Sequence, residues 1–198
     1  MKKIGNKTFR KNKILFIGVV LVFVCAYISG IIFPLSITEG RINEAVAFCK
    51  SNGLSTDYAV FVDFGKHSGR ERYMIYSFPK QKIIYRCLCA SGLNKSKFSN
   101  QPGSNLSSLG KYRITNEIHN MSIGREGLVV EGLENTNSNA RNRKILIHYS
   151  ELLNSVPKST FPMPIVGEGI SHGCFSITTK GVEKTKELGK PVLLWAYK

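Results

Sequence analysis

Apolar and polar positions divide this chain into two unlike parts. Residues 14–33 form an apolar run with no charge, built almost wholly from Ile, Leu, Val, Phe, Gly and Ala. Twenty residues in a helix rise about 30 Å, the thickness of a bilayer's hydrocarbon core. A globular helix apolar all round would need burial on every side, so the run predicts a single transmembrane helix. After Pro34 the pattern changes. Ala45, Phe48 and Cys49 at i, i+3 and i+4 predict a short helix over 44–51, ended by Asn52-Gly53. Runs rich in aromatic and β-branched residues then predict strands at 58–64, 72–78 and 82–90, joined by turns at 65–71 and 79–81. Two more strands are expected near 110–114 and 127–133, one at 144–149 and a last at 191–197. Polar loops at 91–110 and 134–142 separate them, and a Pro/Gly connection fills 157–169. Thr178 or Thr179 would cap a helix over 180–188 that Gly189 stops. The expected fold class is mainly β, a sandwich or barrel with one or two short helices, preceded by the transmembrane helix. The divisions are a basic segment 1–13, an anchor or signal segment 14–33, a short helix and linker 34–56, and a domain over 57–198.

Charge gives the apolar segment a direction. Lys2, Lys3, Lys7, Arg10, Lys11 and Lys13 precede it with no acid among them, and only Arg41 and Lys50 lie in the nineteen residues after it. The positive-inside rule places the N-terminus in the cytoplasm and the body outside. The alternative is a signal peptide cut at Ala26; the apolar run continues past that point, which favours an uncleaved anchor. Phe23 and Val24 make Cys25 a poor lipid site. Of the 28 basic residues, 22 follow the leading segment, and against 13 acids they leave +9. That charge could attract carboxylates or equally reflect a basic proteome, and a body outside the cytoplasm is a poor partner for nucleic acid. Cys87 and Cys89, two apart on a strand, would share a face at about 7 Å, too far for an easy disulfide. The chain has no C-x-x-C pair, so strand packing is expected of these two rather than zinc binding. No cofactor is implied.

Candidate chemistry centres on Ser171-His172-Gly173-Cys174, with His148 at the end of an apolar strand upstream. A thiol attacks a carbonyl as thiolate, and a nearby imidazole lowers its pKa or takes its proton. A side chain at position 173 would crowd a substrate approaching the sulfur. Backbone N–H groups at Gly173, Cys174 or Phe175 could face the oxyanion. His172 is a second imidazole near the thiol or an orienting group, and Ser171 a donor to that network or an ordinary turn serine. His67 and His119 are expected in solvated turns.

The flanking residues resemble one branch of the L,D-transpeptidase (YkuD-like) catalytic domain family. Its long loop is matched by Phe98-Ser99-Asn100-Gln101-Pro102-Gly103-Ser104-Asn105-Leu106-Ser107-Ser108-Leu109-Gly110. Glu131-Gly132-Leu133-Glu134, Asn139-Ala140-Arg141, Ile147-His148 and Ser171-His172-Gly173-Cys174 follow in the family's order. The resemblance covers residues 57–198. It implies a membrane-anchored periplasmic enzyme of the bacterial inner membrane that acts on peptidoglycan stem peptides. Cys174 would attack the carbonyl of the third stem residue and release the terminal D-alanine, and an amine or water would then resolve the acyl-enzyme. By the same resemblance His148 is the general base, and Ser171, His172 and Gly173 complete the site loop. Ser104, Asn105, Ser107 and Ser108 would hold a stem peptide, or else bond among themselves as a turn-rich loop. Three departures stand out. Tyr149 replaces the glycine that usually follows the base, where a phenol would narrow the pocket or rotate the histidine. Ser176 stands two after the cysteine, where arginine or asparagine is commoner. The gap between His148 and Ser171 is long, at 22 residues. A hydrolase of the same fold and a non-catalytic wall-binding protein are the alternatives. A sortase would need an arginine shortly after Cys174, and none is there.

Overall fold

The computed structural model describes residues 12–13, 15–22, 24, 36–66, 68–94, 97–121, 125–155, 171–189 and 191–198. The chain divides into two compact units, Met1–Pro34 and Leu35–Lys198. In the first, every described position is helical. No helix among the described residues is long and apolar enough to cross a membrane; residues 14, 23 and 25–33 of the expected span lie outside them. The second unit begins at Leu35 and takes in the helix expected over 44–51.

From residue 36 onward the elements are α1 (Glu39–Ser51), β1 (Tyr58–Asp63), β2 (Tyr73–Ser77), β3 (Lys82–Cys87), β4 (Cys89–Ala90), β5 (Gly110–Met121), β6 (Arg125–Gly132), β7 (Leu146–Tyr149), α2 (Glu151–Ser155), β8 (Phe175–Ile177), α3 (Thr179–Lys186) and β9 (Val192–Tyr197). All nine strands join one sheet in the order β3-β2-β1-β9-β5-β6-β7-β8-β4. The pairs β1–β9 and β7–β8 are parallel and the others antiparallel. The two edge strands, β3 and β4, are separated in sequence by Leu88 alone. Neighbouring strands lie about 4.8 Å apart, so the edges of a flat sheet this wide would stand roughly 38 Å from each other. Two residues of chain reach about 7 Å at most. The sheet must therefore curl until its edges meet at Leu88. The continuous strand expected over 82–90 is in fact two strands at opposite ends of the sheet. Arg72, fully buried just before β2, pins the junction: its Nε donates to the Cys89 carbonyl at 2.9 Å and its Nη1 to the Lys66 carbonyl at 2.9 Å. Its guanidinium also lies over the Phe64 ring, 4.9 Å from the centroid.

Curling gives the sheet an inner and an outer face, and strand alternation assigns residues to each. Val60, Val62, Tyr73, Ile75, Tyr112, Leu128, Ile147, Phe175, Ile177 and Leu194 fill the interior, with Cys87 and Cys89 from the two edges and Val182 from α3. The outer faces of β1, β2 and β9 present Ala59, Phe61, Met74, Tyr76 and Leu193, which Ala45 and Cys49 of α1 cover. These three strands are thus buried on both sides, which is why they read as unbroken apolar runs. Thr38 caps α1, its hydroxyl accepting from the Arg41 N–H, and the helix starts a turn earlier than its apolar spacing suggested. Thr178 caps α3 as expected. The described body holds three helices, one more than expected, because α2 is a short insertion after β7. The β5–β6 hairpin is also longer than its apolar part, since its outer residues 116–120 are exposed and polar apart from Ile118.

Replacing Arg72 by Met keeps the length and removes the donors, leaving the buried Cys89 carbonyl short of a partner and releasing the Lys66 carbonyl. A loss of about 2–4 kcal/mol in unfolding free energy is expected from denaturant titration; unchanged stability would show that the junction does not need the guanidinium.

Candidate active site

His148 and Ser176 stand opposite each other where β7 pairs with β8. Their neighbours Ile147 and Phe175 point into the core, so both must face outward, beside Ala90, which pairs with Ser176 on β4. Leu88, Ala90 and Leu153 of α2 pack together nearby. Cys174 immediately precedes β8, two residues from Ser176, and is partly exposed. The sheet thus brings the predicted nucleophile and base to one surface.

The imidazole is held at both nitrogens. Nδ1 lies 2.9 Å from the Tyr149 carbonyl. A carbonyl only accepts, so Nδ1 carries the proton and Nε2 accepts from the Ser176 hydroxyl at 3.0 Å. Burial lowers the pKa of His148 below its usual value; the Tyr149 carbonyl opposes this and the Arg125 charge adds to it. The imidazole is therefore neutral near pH 7. Cys174 Sγ lies 3.6 Å from the Lys144 carbonyl. Burial raises the pKa of the thiol, and both the Leu146 backbone and the Arg143 charge pull it back. Thiol and imidazole share a surface but are not hydrogen-bonded to each other.

The turn carrying Cys174 is fixed from within. Ser171 Oγ donates to the Cys174 carbonyl at 2.8 Å and accepts from the Gly173 N–H at 3.2 Å. That N–H is engaged and is not open to an oxyanion. Gly173 has φ +106, and a Cβ there would stand 2.7 Å from the Leu106 carbonyl oxygen and 2.9 Å from Arg143 Nη2. Glycine is required by the turn and its support, rather than by an approaching substrate. His172 is exposed in the turn.

The 98–110 loop forms that support. Leu93 N–H donates to the Asn105 carbonyl, and Gly92 N–H to Ser107 Oγ at 2.9 Å. Gly92 in turn bridges to Ser171. Ser108 Oγ meets Tyr112 Oη at 2.7 Å. Asn100 laces the loop to residues 135–139: its Nδ2 donates to the Asn135 carbonyl and to Ser138 Oγ, and its Oδ1 accepts from the Asn139 N–H. Gly132 allows this approach, since a Cβ there would overlap the Asn137 carbonyl.

Several sequence expectations change here. Ser107 and Ser108 are buried, 1% and 2% exposed, and hold the loop instead of facing a substrate. Ser104 and Asn105 are half-buried, with Ser104 Oγ donating to the Gln101 carbonyl at 2.8 Å. Tyr149 neither rotates the histidine nor faces it. Its ring lies on the other side of β7, against the core and 5.8 Å from the Arg125 guanidinium, while its carbonyl orients the imidazole. Ser176 is the partner of His148. Arg143 was not singled out from the sequence. Arg141, in the recognised motif, is paired at the surface with Glu117 and Glu131, whereas Arg143 turns inward to the 98–110 loop. Its signal was a second arginine directly before an apolar strand. Exposed His119 lies on β5, not in a turn. His67 and the 157–169 connection lie outside the described residues.

The L,D-transpeptidase catalytic domain family matches residues 37–197. The chain belongs to this family. No curated protein is significantly similar. Among solved structures, a variant of the helical cell shape determining protein Pgp2 from Campylobacter jejuni is similar at 14% identity and TM-score 0.47, over 82% of this chain and 57% of that one. An L,D-transpeptidase from Xylanimonas cellulosilytica is similar at 10% identity and TM-score 0.40, over 76% and 68%. The chain thus spans little more than half the length of the Pgp2 chain. The family match begins at residue 37, so α1 is part of the L,D-transpeptidase domain.

Gly173→Ala, strained in φ and blocked on two sides, is expected to slow alkylation of Cys174 and to lower Tm by several degrees; full retention of both would remove the turn's claimed requirement. Tyr149→Gly is expected to leave the alkylation rate at Cys174 unchanged, because the ring faces away from the site while the carbonyl remains. A marked change would show that the ring reaches the site.

Proposed function

We propose that this chain is a membrane-anchored, exported L,D-transpeptidase acting on peptidoglycan stem peptides, with Cys174 as nucleophile and His148 as general base. The observation that carries this reading is the convergence of a partly exposed thiol and a neutral, doubly held imidazole on one surface of an L,D-transpeptidase domain. His148 Nε2 exchanges Ser176 for the thiol and takes its proton as sulfur attacks the carbonyl of the third stem residue. The Cys174 N–H stabilises the oxyanion, since that of Gly173 is engaged. The imidazolium returns the proton to the departing D-alanine amine, leaving a thioester. An acceptor amine, deprotonated by His148, resolves it. Ser104 and Asn105 on the exposed side of the loop, together with His172, are the candidate contacts for the stem, while Ser171 and Gly173 shape the turn. The apolar side chains at 15–22 stand exposed, as a segment meeting lipid would. The uncharged run 14–33 behind six basic residues supports an anchor with the body in the periplasm.

A second reading, a non-catalytic wall-binding protein, is favoured by one observation: His148 is bonded to Ser176 and not to Cys174. A carbapenem separates the two. Full-length protein in detergent is expected to gain one covalent adduct by intact mass, absent in Cys174→Ala and formed about 10²–10⁴-fold more slowly in His148→Ala. No adduct on folded wild type would leave the binding protein. Muropeptide analysis then reads the reaction: new cross-links support transfer, whereas trimmed stems alone indicate the hydrolase.

A further inference from the structure

Arg143 takes no step in the reaction just described, yet it joins more of the site than any other described side chain. Nη1 donates to the Ser99 carbonyl at 2.7 Å and reaches Ser108 Oγ at 3.5 Å. Nη2 donates to the Leu106 carbonyl at 2.5 Å and reaches Ser104 Oγ at 3.5 Å. The same Nη2 stands 2.9 Å from where a Cβ on Gly173 would lie, one residue from the nucleophile. All four acceptors are carbonyls or hydroxyls. None carries a charge, so these bonds hold the guanidinium without neutralising it. Arg141, two residues earlier, has the opposite arrangement: it is exposed and paired with two carboxylates.

We propose that Arg143 is a positioning residue for Cys174, a fixed positive charge clamped beneath the nucleophile turn by the 98–110 loop, where it favours the thiolate. The inference rests on Cys174 being the nucleophile. A reactive thiol needs an electropositive surrounding, and the other groups near it supply little. His148 on β7 is neutral and bonded to Ser176. Arg125 of β6 lies 5.8 Å from the Tyr149 ring, and its charge bears on His148. Tyr112 of β5 meets Ser108. His172 is exposed in the turn, and Lys144 turns its carbonyl to the sulfur. Arginine suits the role because it stays charged when half-buried and its planar fork satisfies several acceptors at once. The long loop is then more than a wall of the site, since it aims and holds the charge. Burial lowers the pKa of Arg143, while Tyr112 and, less strongly, Cys174 favour its charged form.

The test is the pH dependence of iodoacetamide alkylation at Cys174, read by peptide mass spectrometry on the full chain in detergent. It reports thiolate whether or not the protein transfers anything, so it can fail independently of the carbapenem adduct. Arg143→Gln is expected to move the midpoint up by about one unit, which slows alkylation near neutrality about tenfold, and to leave the alkaline plateau unchanged. Arg143→Lys keeps the charge and loses the fork; it is expected to hold the midpoint near wild type even if Tm falls. A clamp with no electrostatic role predicts the reverse, with both variants losing rate equally at all pH values and neither shifting the midpoint. That result overturns the proposal, as does an upward shift of a full unit in Arg143→Lys. If Arg143→Gln fails to fold, Arg143→Lys decides by its rate: alkylation close to wild type at every pH is expected, and a uniform loss of rate without a midpoint shift overturns the proposal.

Discussion

Leu88 imposes the constraint on which the rest of this fold depends. One residue separates the two edges of a nine-stranded sheet, so the sheet curls, and curling creates an interior that strands from both ends fill together. Cys87 and Cys89 end up buried in the same core although they belong to opposite edges. For both thiols burial pushes the pKa up to about 12, so they are inert packing groups. The Arg72 guanidinium is the polar counterpart of this closure: where the chain passes from one edge to the other, it satisfies a carbonyl that the adjoining strands leave over.

The candidate active-site surface follows from the same geometry. β7 and β8 run parallel, and their register sets His148 against Ser176 with Cys174 just beyond. Parity then separates neighbours: His148 faces out while Ile147 and Tyr149 face the core. Burial disfavours charge on both the thiol and the imidazole, so the resting pair is neutral rather than an ion pair. The protein counters this with groups outside the pair: a backbone N–H, a carbonyl on the imidazole and a guanidinium under the turn.

How far the sequence disclosed this depends on the physical scale of each feature. Strands β1, β2 and β9 were legible because burial on both faces makes them continuously apolar. The three residues of β8 show no period of their own; they are a strand because β7 and β4 flank them. The break at Leu88 left no turn residue to mark it, since Cys87-Leu88-Cys89 reads as uninterrupted strand. Cys174 and His148 were recognisable from their motifs. Ser176 looked like a departure because its partner is set by strand register, and Arg143 lay hidden in a polar run because its four acceptors, two carbonyls and two hydroxyls, lie some forty residues away. Gly173 was picked out for the right position and a different reason, its neighbours being protein rather than substrate.

The parallel pairing of β1 with β9 has a further consequence. Ala59 lies against Leu193 and Val62 against Ala196, and β9 also pairs with β5. The strand that follows all the others in sequence is therefore a central strand of the sheet, and until it is inserted β3-β2-β1 and β5-β6-β7-β8-β4 are separate half-sheets with open edges. Closing a loop of this length before its contacts form makes assembly slow, and unpaired edges invite association with other chains in the meantime. The domain cannot mature piecemeal as it is synthesised. It must wait as an incomplete sheet and then close around its final strand in one late event.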